Sequence, residues 1–321
     1  MEPQQVVFHF MTNTKIKVEQ VKLKTLVWTD IINPDKETLD KLKKKHKFHE
    51  LDLEDCLSEN QRSKIDEYAN YLFLVLHFPH FDKKKNALVT EEVNIFIGQN
   101  YVITIHDGVL RPLLDIFDKC QGGLRDRRKY LDKGSGYLLY EIIDAMLDDG
   151  FPMLDYLSRN ITSIERSVFG PETEQHDMLK DILVLKKDII TFRRIIAPQR
   201  SVIAQLEHKN KKFLPEDLEV YFDDLVDKIE KIWSSLDSMK DLVISLQETN
   251  ESIISHTITN VMKVLTIFSV VMLPLTFLTG LYGMNVELPY SQHPLVFTGI
   301  TGVMIMVVLF MMVFFKIKKW L

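Results

Sequence analysis

Apolar residues are spaced differently in successive parts of the chain, and the first third has the spacing of strands. The continuous apolar run Tyr71 to Leu76 predicts a buried strand, and Val27-Trp28 predicts another. Val93 to Ile97 and Tyr101 to Ile105 flank Gly98-Gln99-Asn100, which predicts a β-hairpin. Between these strands we predict two short helices, Leu39 to Lys47 and Leu51 to Ser58. The first third is therefore predicted to be mixed α/β.

Helical spacing takes over after Gly134-Ser135-Gly136. Apolar residues recur every three or four positions in "MLKDILVLKKDIITFRRII". From Glu216 onward nothing interrupts the helical pattern before Pro274, and we predict one helix from about Glu216 to Tyr282. At 1.5 Å per residue such a helix is roughly 100 Å long. A helix of this length needs packing partners, such as copies of itself.

Two long apolar segments lie at the C-terminal end. Val264 to Val286 carries no charge, and Ser291 to Phe315 is interrupted only by His293. Each exceeds the roughly 18 apolar residues that suggest a membrane span. The short link between them predicts a hairpin whose ends lie on one side of the membrane. Because lysines flank those ends, we expect both termini and the large N-terminal part to be cytoplasmic. These lysines are Lys263, Lys316, Lys318 and Lys319.

Composition and motifs exclude several classes of function. The net charge of −5 over 321 residues argues against a generic nucleic-acid binder. The sequence contains no Walker loop, HExxH or Gly-x-Ser-x-Gly motif, so we expect neither an enzyme nor a nucleotide partner. Cys56 and Cys120 fit no zinc motif, and so few cysteines favour a reducing environment for the soluble part.

A stripe of small and hydroxylated residues runs down the predicted first span. Its members follow alternating steps of three and four, as in a heptad seam. They are Thr259, Met262, Thr266, Ser269, Leu273, Thr276 and Gly280. Tight helix packing and a pore lining are equal alternatives for such a stripe. Because two spans per chain cannot enclose a pore, a pore would require several subunits.

The stripe leads to Gly283 and Asn285 at the outer end of this span. A ring of Asn285 side-chain amides could hydrogen-bond the water shell of a hydrated cation. Mg²⁺ would suit such a ring because it loses its waters reluctantly. The competing explanation is a helix C-cap, which both glycine and asparagine favour, and on physical grounds alone the cap is the better explanation.

The motif "YGMN", at the end of the first of two C-terminal spans, resembles the signature of the CorA family of magnesium channels. "VMKVLTIFSVVMLPLTFLTGLYGMN", "YLLYEIIDAMLDDGF" and "FKIKKWL" are similar to that family's pore helix, cytoplasmic helical segment and basic tail. The resemblance implies a funnel-shaped homopentamer: an α+β cytoplasmic domain, a long pore-lining helix and a two-helix transmembrane hairpin. It also implies a location in the cell (inner) membrane.

The resemblance divides the chain into five parts. They are an N-terminal α/β domain (1–135), an acidic helical segment (136–258), the pore helix (259–286), an outer loop (287–294), and the second transmembrane helix with its basic tail (295–321). The implied selectivity filter is Gly283, Met284 and Asn285. Met262 with Leu265 or Thr266 would form a hydrophobic constriction, with Thr259 below it and the rest of the stripe lining the pore above.

The family's sensing of intracellular Mg²⁺ implies carboxylates between neighbouring cytoplasmic domains. Asp224 and Asp144 match such positions, and Asp148, Asp149, Asp66 and Glu67 are further candidates. Carboxylates that face one another repel, and a divalent ion that bridges them removes the repulsion and holds the subunits together. Mg²⁺ would therefore be both the transported and the regulatory ion.

The sequence thus leads us to expect Mg²⁺ influx down its electrochemical gradient, gated by intracellular Mg²⁺. One alternative is transport of Zn²⁺, Co²⁺ or Ni²⁺ within the same superfamily. Zn²⁺ would favour histidine or cysteine ligands, and the stripe has neither. The second alternative is a membrane-anchored coiled-coil scaffold that conducts nothing. The expected partners are copies of the chain and the lipid bilayer.

Overall fold

The chain folds into two compact units, Met1–Leu246 and Gln247–Leu321. The computed structural model describes residues 16–58, 61–82, 84, 87–170, 178–208, 218–284, 295–318 and 320. Asn285 and the predicted outer loop (287–294) lie outside these residues.

The first unit contains a six-stranded mixed sheet with the strand order β1-β2-β6-β5-β4-β3. The pair β2–β6 is parallel and the other four pairs are antiparallel. The strands are β1 (Lys17–Leu23), β2 (Leu26–Ile32), β3 (Lys64–Glu67), β4 (Leu72–Asp82), β5 (Ala87–Gly98) and β6 (Tyr101–His106).

The predicted buried strand at Tyr71 to Leu76 is the start of β4. This strand lies between β3 and β5, so its backbone is paired on both edges. Phe73 and Val75 point into one core cluster, and the alternating residues point to the opposite face, where α7 (Met178–His208) contacts β3, β4 and β5. Coverage of both faces explains why the run is apolar without alternation.

The predicted hairpin is confirmed as β5 and β6. Gly98 pairs with Tyr101, which leaves Gln99 and Asn100 as a two-residue turn. A side chain on Gly98 would collide with the ring of Tyr101. The packing of the Tyr101 ring over this position therefore favours glycine here.

Two short helices, α1 (Lys36–His46) and α2 (Glu50–Asp55), are present where the sequence predicts them. Asp35 caps α1 by accepting a hydrogen bond from the backbone N–H of Thr38 at 2.8 Å. Lys47 adopts a left-handed conformation with φ of 60°, which ends α1 one residue earlier than predicted. Phe48, between the two helices, packs into the same core cluster as Phe73.

Helices make up most of the remaining described residues of the first unit. They are α3 (Arg111–Gly122), α4 (Leu124–Leu131), α5 (Ser135–Asp148), α6 (Gly150–Val168), α7, and the first part of α8 (Glu219–Tyr282). α5 packs against β5 and β6, and α6 packs against α7. The helical spacing that the sequence shows after Gly136 is therefore confirmed as helical structure.

The predicted long helix is confirmed as α8, a single helix of 64 residues that continues through Pro274. Its N-terminal part buries one apolar stripe at helical spacing: Phe222, Leu225, Ile229, Ile232 and Leu236. The side chain of Trp233 lies beneath two guanidinium groups of α7, those of Arg193 at 4.7 Å and Arg200 at 4.8 Å. Arg200 also forms a two-pronged ion pair with Glu230, at 2.6 and 2.8 Å. This part of α8 is therefore integral to the first unit.

The second unit consists of the C-terminal part of α8 and of α9 (Leu295–Ile317). Both helices are long and apolar enough to cross a membrane by length and composition. The predicted fold class is therefore confirmed for the chain: a sheet-and-helix domain, the long helix α8, which includes the first apolar span, and α9, which includes the second.

Candidate ion pathway and acidic cluster

The predicted stripe of small and hydroxylated residues lies on an open face of α8. Every member, and Leu265 beside it, is exposed in the chain; the members are Thr259, Met262, Thr266, Ser269, Leu273, Thr276 and Gly280. The partly covered positions of this span lie on another line along the helix, which contains Ile267, Val271, Pro274 and Leu278. The stripe is therefore uncovered in the single chain, as are many other positions of this span, among them Val264 and Phe268.

Three of the four hydroxyl groups of the stripe donate to their own helix. Thr259 donates to the carbonyl of Ser255 at 2.8 Å, Thr266 to that of Met262 at 2.7 Å, and Ser269 to that of Leu265 at 2.9 Å. Because these three hydroxyl protons are used in this way, each of the three oxygens keeps its lone pairs for accepting hydrogen bonds. A row of such hydroxyl oxygens along the helix can accept hydrogen bonds from the water shell of a cation.

The two glycines of this span have different surroundings. Gly283 ends the helix, with its N–H bonded to the carbonyl of Thr279 at 2.9 Å, and a Cβ there would lie 2.9 Å from the same oxygen. A tight helix end thus accounts for Gly283. A Cβ on Gly280 would meet no described atom within 4 Å. Met284 is exposed just beyond the helix. The roles of Gly283, Met284 and Asn285 in a selectivity filter stay a prediction.

Three of the six predicted acidic residues converge on one lysine. Lys228 Nζ forms an ion pair with Asp144, lies 2.9 Å from Asp148 Oδ1, and lies 3.8 Å from Asp224 Oδ2. Asp144 and Asp148 belong to α5, whereas Asp224 and Lys228 are one turn apart on α8. We call these four residues the α5–α8 acidic cluster.

Burial and neighbouring charges have opposite effects on the pKa values of Asp144 and Lys228 in this cluster. Burial raises the pKa of Asp144, although the ion pair with Lys228 acts in the opposite direction. Burial also disfavours the ammonium of Lys228, but its hydrogen bonds to Asp144 and Asp148 outweigh burial and raise its pKa above the ordinary value. Lys228 is therefore a firmly protonated cation among the carboxylates.

The other three predicted acidic residues lie elsewhere in the first unit. Asp149 lines a mainly apolar cavity of about 250 Å³ together with Asp188, and burial raises the pKa of both carboxyls. Asp66 on β3 pairs with Lys64 at 2.6 Å, and Lys64 also bridges to Asp55 at 2.7 Å. Glu67, the last residue of β3, is exposed.

The six acidic residues therefore do not form one site within a single chain. Among the described residues, no three His, Cys, Asp or Glu side chains are arranged to hold a metal ion. Their assignment as regulatory ligands stays a prediction that depends on contacts between subunits. The sequence reasoning did not identify Lys228 or Lys64 as partners. The four-residue step from Asp224 to Lys228 is a signal that could have revealed the first.

Comparisons with known proteins agree with the architecture. A family model described as "CorA-like Mg2+ transporter protein" matches residues 24–319. The cobalt/magnesium transport protein CorA of Thermotoga maritima is 32% identical over 276 residues, which cover 85% of this chain and 77% of that protein. The zinc transport protein ZntB of Yersinia pseudotuberculosis is 22% identical over 266 residues, which cover 82% of this chain and 78% of that protein.

A solved structure has the same fold. The complete structure of the CorA magnesium transporter from Methanocaldococcus jannaschii matches with a TM-score of 0.81 at 22% identity, over 94% of each chain. The family model spans most of the sequence, and the Thermotoga relative exceeds 30% identity over most of this chain. This chain therefore belongs to the CorA-like Mg²⁺ transporter family.

Proposed function

We propose that the chain assembles as a homopentamer in the cell membrane and conducts Mg²⁺ into the cytosol down its electrochemical gradient. The observation that carries the proposal is the stripe of small and hydroxylated residues along α8, three of whose hydroxyl groups donate to the helix backbone and keep their oxygens as acceptors. One such helix from each subunit, arranged around an axis, would surround a path lined by acceptors. In this arrangement residues 259–286 form the pore helix and residues 295–321 form an outer helix and basic tail.

The stripe, together with Leu265 beside it, would supply both a polar path and an apolar constriction. Ser269 and Thr276 offer hydroxyl groups, whereas Met262 and Leu265 offer apolar side chains near the end closest to Lys263. A ring of Met262 and Leu265 would hinder a hydrated ion by excluding its water, as hydrophobic gates do. At the other end, Gly283, Met284 and Asn285 would select the ion by its water shell.

The membrane potential supplies the driving force. A doubly charged cation that crosses an inside-negative potential of 100 mV gains about 4.6 kcal/mol, twice the value of about 2.3 kcal/mol for one charge. No further energy source is needed for uptake through an open pore.

The ligand chemistry of the stripe favours a hard cation. Its side chains are hydroxyl, thioether and aliphatic groups, and it contains no cysteine or histidine. Zn²⁺ favours imidazole and thiolate ligands, whereas Mg²⁺ favours oxygen ligands and retained waters. The relative that is named as a zinc transport protein makes Zn²⁺ the second candidate, with Co²⁺ and Ni²⁺ beside it.

Regulation would depend on the acidic residues of the cytoplasmic part. In the proposed pentamer, Mg²⁺ bound between subunits at Asp224 and Asp144 holds the constriction closed, and loss of the ion opens it. Asp148, Asp149, Asp66 and Glu67 are the further candidates for such contacts.

The test is Mg²⁺ uptake into proteoliposomes that contain a Mg²⁺-sensitive dye, under an inside-negative potential and with internal Mg²⁺ buffered low. Asn285→Ala is compared with Thr298→Ala, which removes a hydroxyl of α9 that donates to the carbonyl of Leu295 at 2.9 Å. We expect wild type and Thr298→Ala to take up Mg²⁺ and Asn285→Ala to lose selective uptake.

Two results would contradict the proposal. If the proteoliposomes take up Zn²⁺ but not Mg²⁺, the chain is a zinc transporter and the proposal of Mg²⁺ conduction is wrong. Absence of any divalent flux with the internal Mg²⁺ removed would favour the non-conducting scaffold.

A further inference from the structure

We propose that Lys228 is a built-in counter-ion that competes with divalent cations for the α5–α8 acidic cluster, and so sets the Mg²⁺ concentration to which the protein responds. The inference rests on the proposed function, because it concerns the regulatory role of Asp224 and Asp144. Asp144 and Asp224 would support metal binding, whereas Lys228 would oppose it.

The geometry gives Lys228 the position that a cation would take. Its Nζ is the point on which oxygens of Asp144, Asp148 and Asp224 converge. Two of these carboxylates come from α5 and one from α8, so the ammonium joins two helices that are about 80 residues apart in sequence. Only about a quarter of the Lys228 side chain is exposed.

An ammonium and a divalent ion cannot share these oxygens. Mg²⁺ binds oxygens at about 2.1 Å and would have to enter the space that Nζ fills. At such close range the two cations would repel each other strongly, because Mg²⁺ carries two positive charges and the ammonium carries one. Binding of a divalent ion at the oxygens of Asp144, Asp148 and Asp224 that face Nζ therefore requires Lys228 to swing away on its flexible four-carbon stem.

When the ammonium of Lys228 moves away, the three carboxylates of the cluster have no counter-ion. Asp144 is partly buried, and without Lys228 it would face Asp148 and Asp224 as like charges. A divalent ion would relieve that repulsion with two positive charges where the lysine supplies one. Lys228 thus lowers the affinity for Mg²⁺ without removing the ligands.

The chain offers a matched control on the same helix. Lys240 also bridges two carboxylates, Asp241 at 2.8 Å and Asp237 at 3.5 Å, and its side chain is 29% exposed, against 23% for Lys228. Both of its partners lie on α8, and neither is a predicted regulatory ligand. Lys240→Met removes the same charge from α8 without changing the α5–α8 acidic cluster.

The experiment measures Mg²⁺ binding by the purified full-length chain in detergent, by isothermal titration, for wild type, Lys228→Met, Lys228→Arg and Lys240→Met. We expect Lys228→Met to bind Mg²⁺ at least about tenfold more tightly than wild type, equivalent to about 1.4 kcal/mol. Lys228→Arg keeps the charge and should bind as weakly as wild type. Adding Asp224→Asn to Lys228→Met should abolish the gain.

Thermal denaturation with and without Mg²⁺ covers the case in which Lys228→Met folds poorly. We expect its melting temperature to fall below that of Lys240→Met without Mg²⁺ and to recover when Mg²⁺ is added. Equal Mg²⁺ affinities of Lys228→Met, Lys240→Met and wild type, or a melting temperature that Mg²⁺ does not restore, would overturn the inference. These measurements need no ion flux, so a failure of uptake in proteoliposomes would overturn the proposed function separately.

Discussion

The contact between α8 and the helices of the first unit gives a stability prediction that can be worked out from the packing. Ile232 is 1% exposed, and Gly150 of α6 packs between it and Phe192 of α7. A Cβ on Gly150 would lie 3.5 Å from both Ile232 Cδ1 and Phe192 Cζ, so three helices meet closely at this point. Ile232→Ala leaves a cavity at a junction that has no space to collapse.

Such a truncation costs about 2–5 kcal/mol. In a unit of this size each kcal/mol lowers the melting temperature by about 2–4 °C, so a loss of 3 kcal/mol corresponds to about 6–12 °C. The matched control is Val220→Ala on the same helix, where the side chain is 75% exposed and its loss should have little effect.

The assay is thermal denaturation of the full-length chain in detergent micelles, followed by circular dichroism. The reasoning is refuted if Ile232→Ala and Val220→Ala shift the melting temperature equally. That result would mean that the apolar stripe of α8 does not pack within the first unit.

Three further predictions follow from other parts of the structure. Gly98→Ala should lower stability by about 1–3 kcal/mol because the new methyl group meets the ring of Tyr101, and Gly122→Ala, where the added methyl group meets no described atom, is the control in the same melting assay. Burial raises the pKa of Asp52 above 3.8, although hydrogen bonds from Tyr71 and Tyr68 oppose the rise. The folded chain then holds this proton at a pH where the unfolded chain has lost it, so the wild type should lose stability as the pH rises through the window just above 3.8. In melting curves recorded at different pH values, Asp52→Asn should lack that part of the pH dependence. Identical pH profiles of the two proteins would contradict the raised pKa of Asp52. Met262→Ser should raise Mg²⁺ leak at high internal Mg²⁺ in the proteoliposome assay because it makes the constriction polar, whereas Val264→Ser, which is off the stripe, should not; equal leak in both variants would argue against a constriction at Met262.

Elements with local signals were predictable from the sequence. The β5–β6 hairpin follows from a glycine-containing turn between apolar runs, and α8 follows from a long uninterrupted helical period. The ends of the short helices were less predictable: α1 stops at His46 because Lys47 adopts a left-handed conformation, and α2 stops at Asp55 rather than Ser58. A single residue's backbone conformation decided the first of these ends.

Pairings between distant segments were not predictable from the sequence. The parallel pairing of β2 with β6 joins residues more than 70 positions apart, and no local pattern specifies it. The same holds for the α5–α8 acidic cluster. Asp224 and Lys228 are neighbours on one helix, but Asp144 and Asp148 join them only through packing of α5 on α8.

The central claim is that the stripe on α8 lines a Mg²⁺ pore, and cysteine accessibility tests it most directly. Ser269→Cys is on the stripe and Phe268→Cys is beside it, and both positions are exposed in the chain. Burial raises the pKa of Cys120 to about 12 and the pKa of Cys56 well above its ordinary value, which lowers the reactivity of both thiols, and the wild-type chain controls for any reaction at these two cysteines. The measurement is Mg²⁺ uptake into proteoliposomes before and after treatment with a positively charged thiol reagent. The account predicts that uptake is blocked in Ser269→Cys and unchanged in Phe268→Cys and wild type; block in Phe268→Cys with none in Ser269→Cys would contradict it.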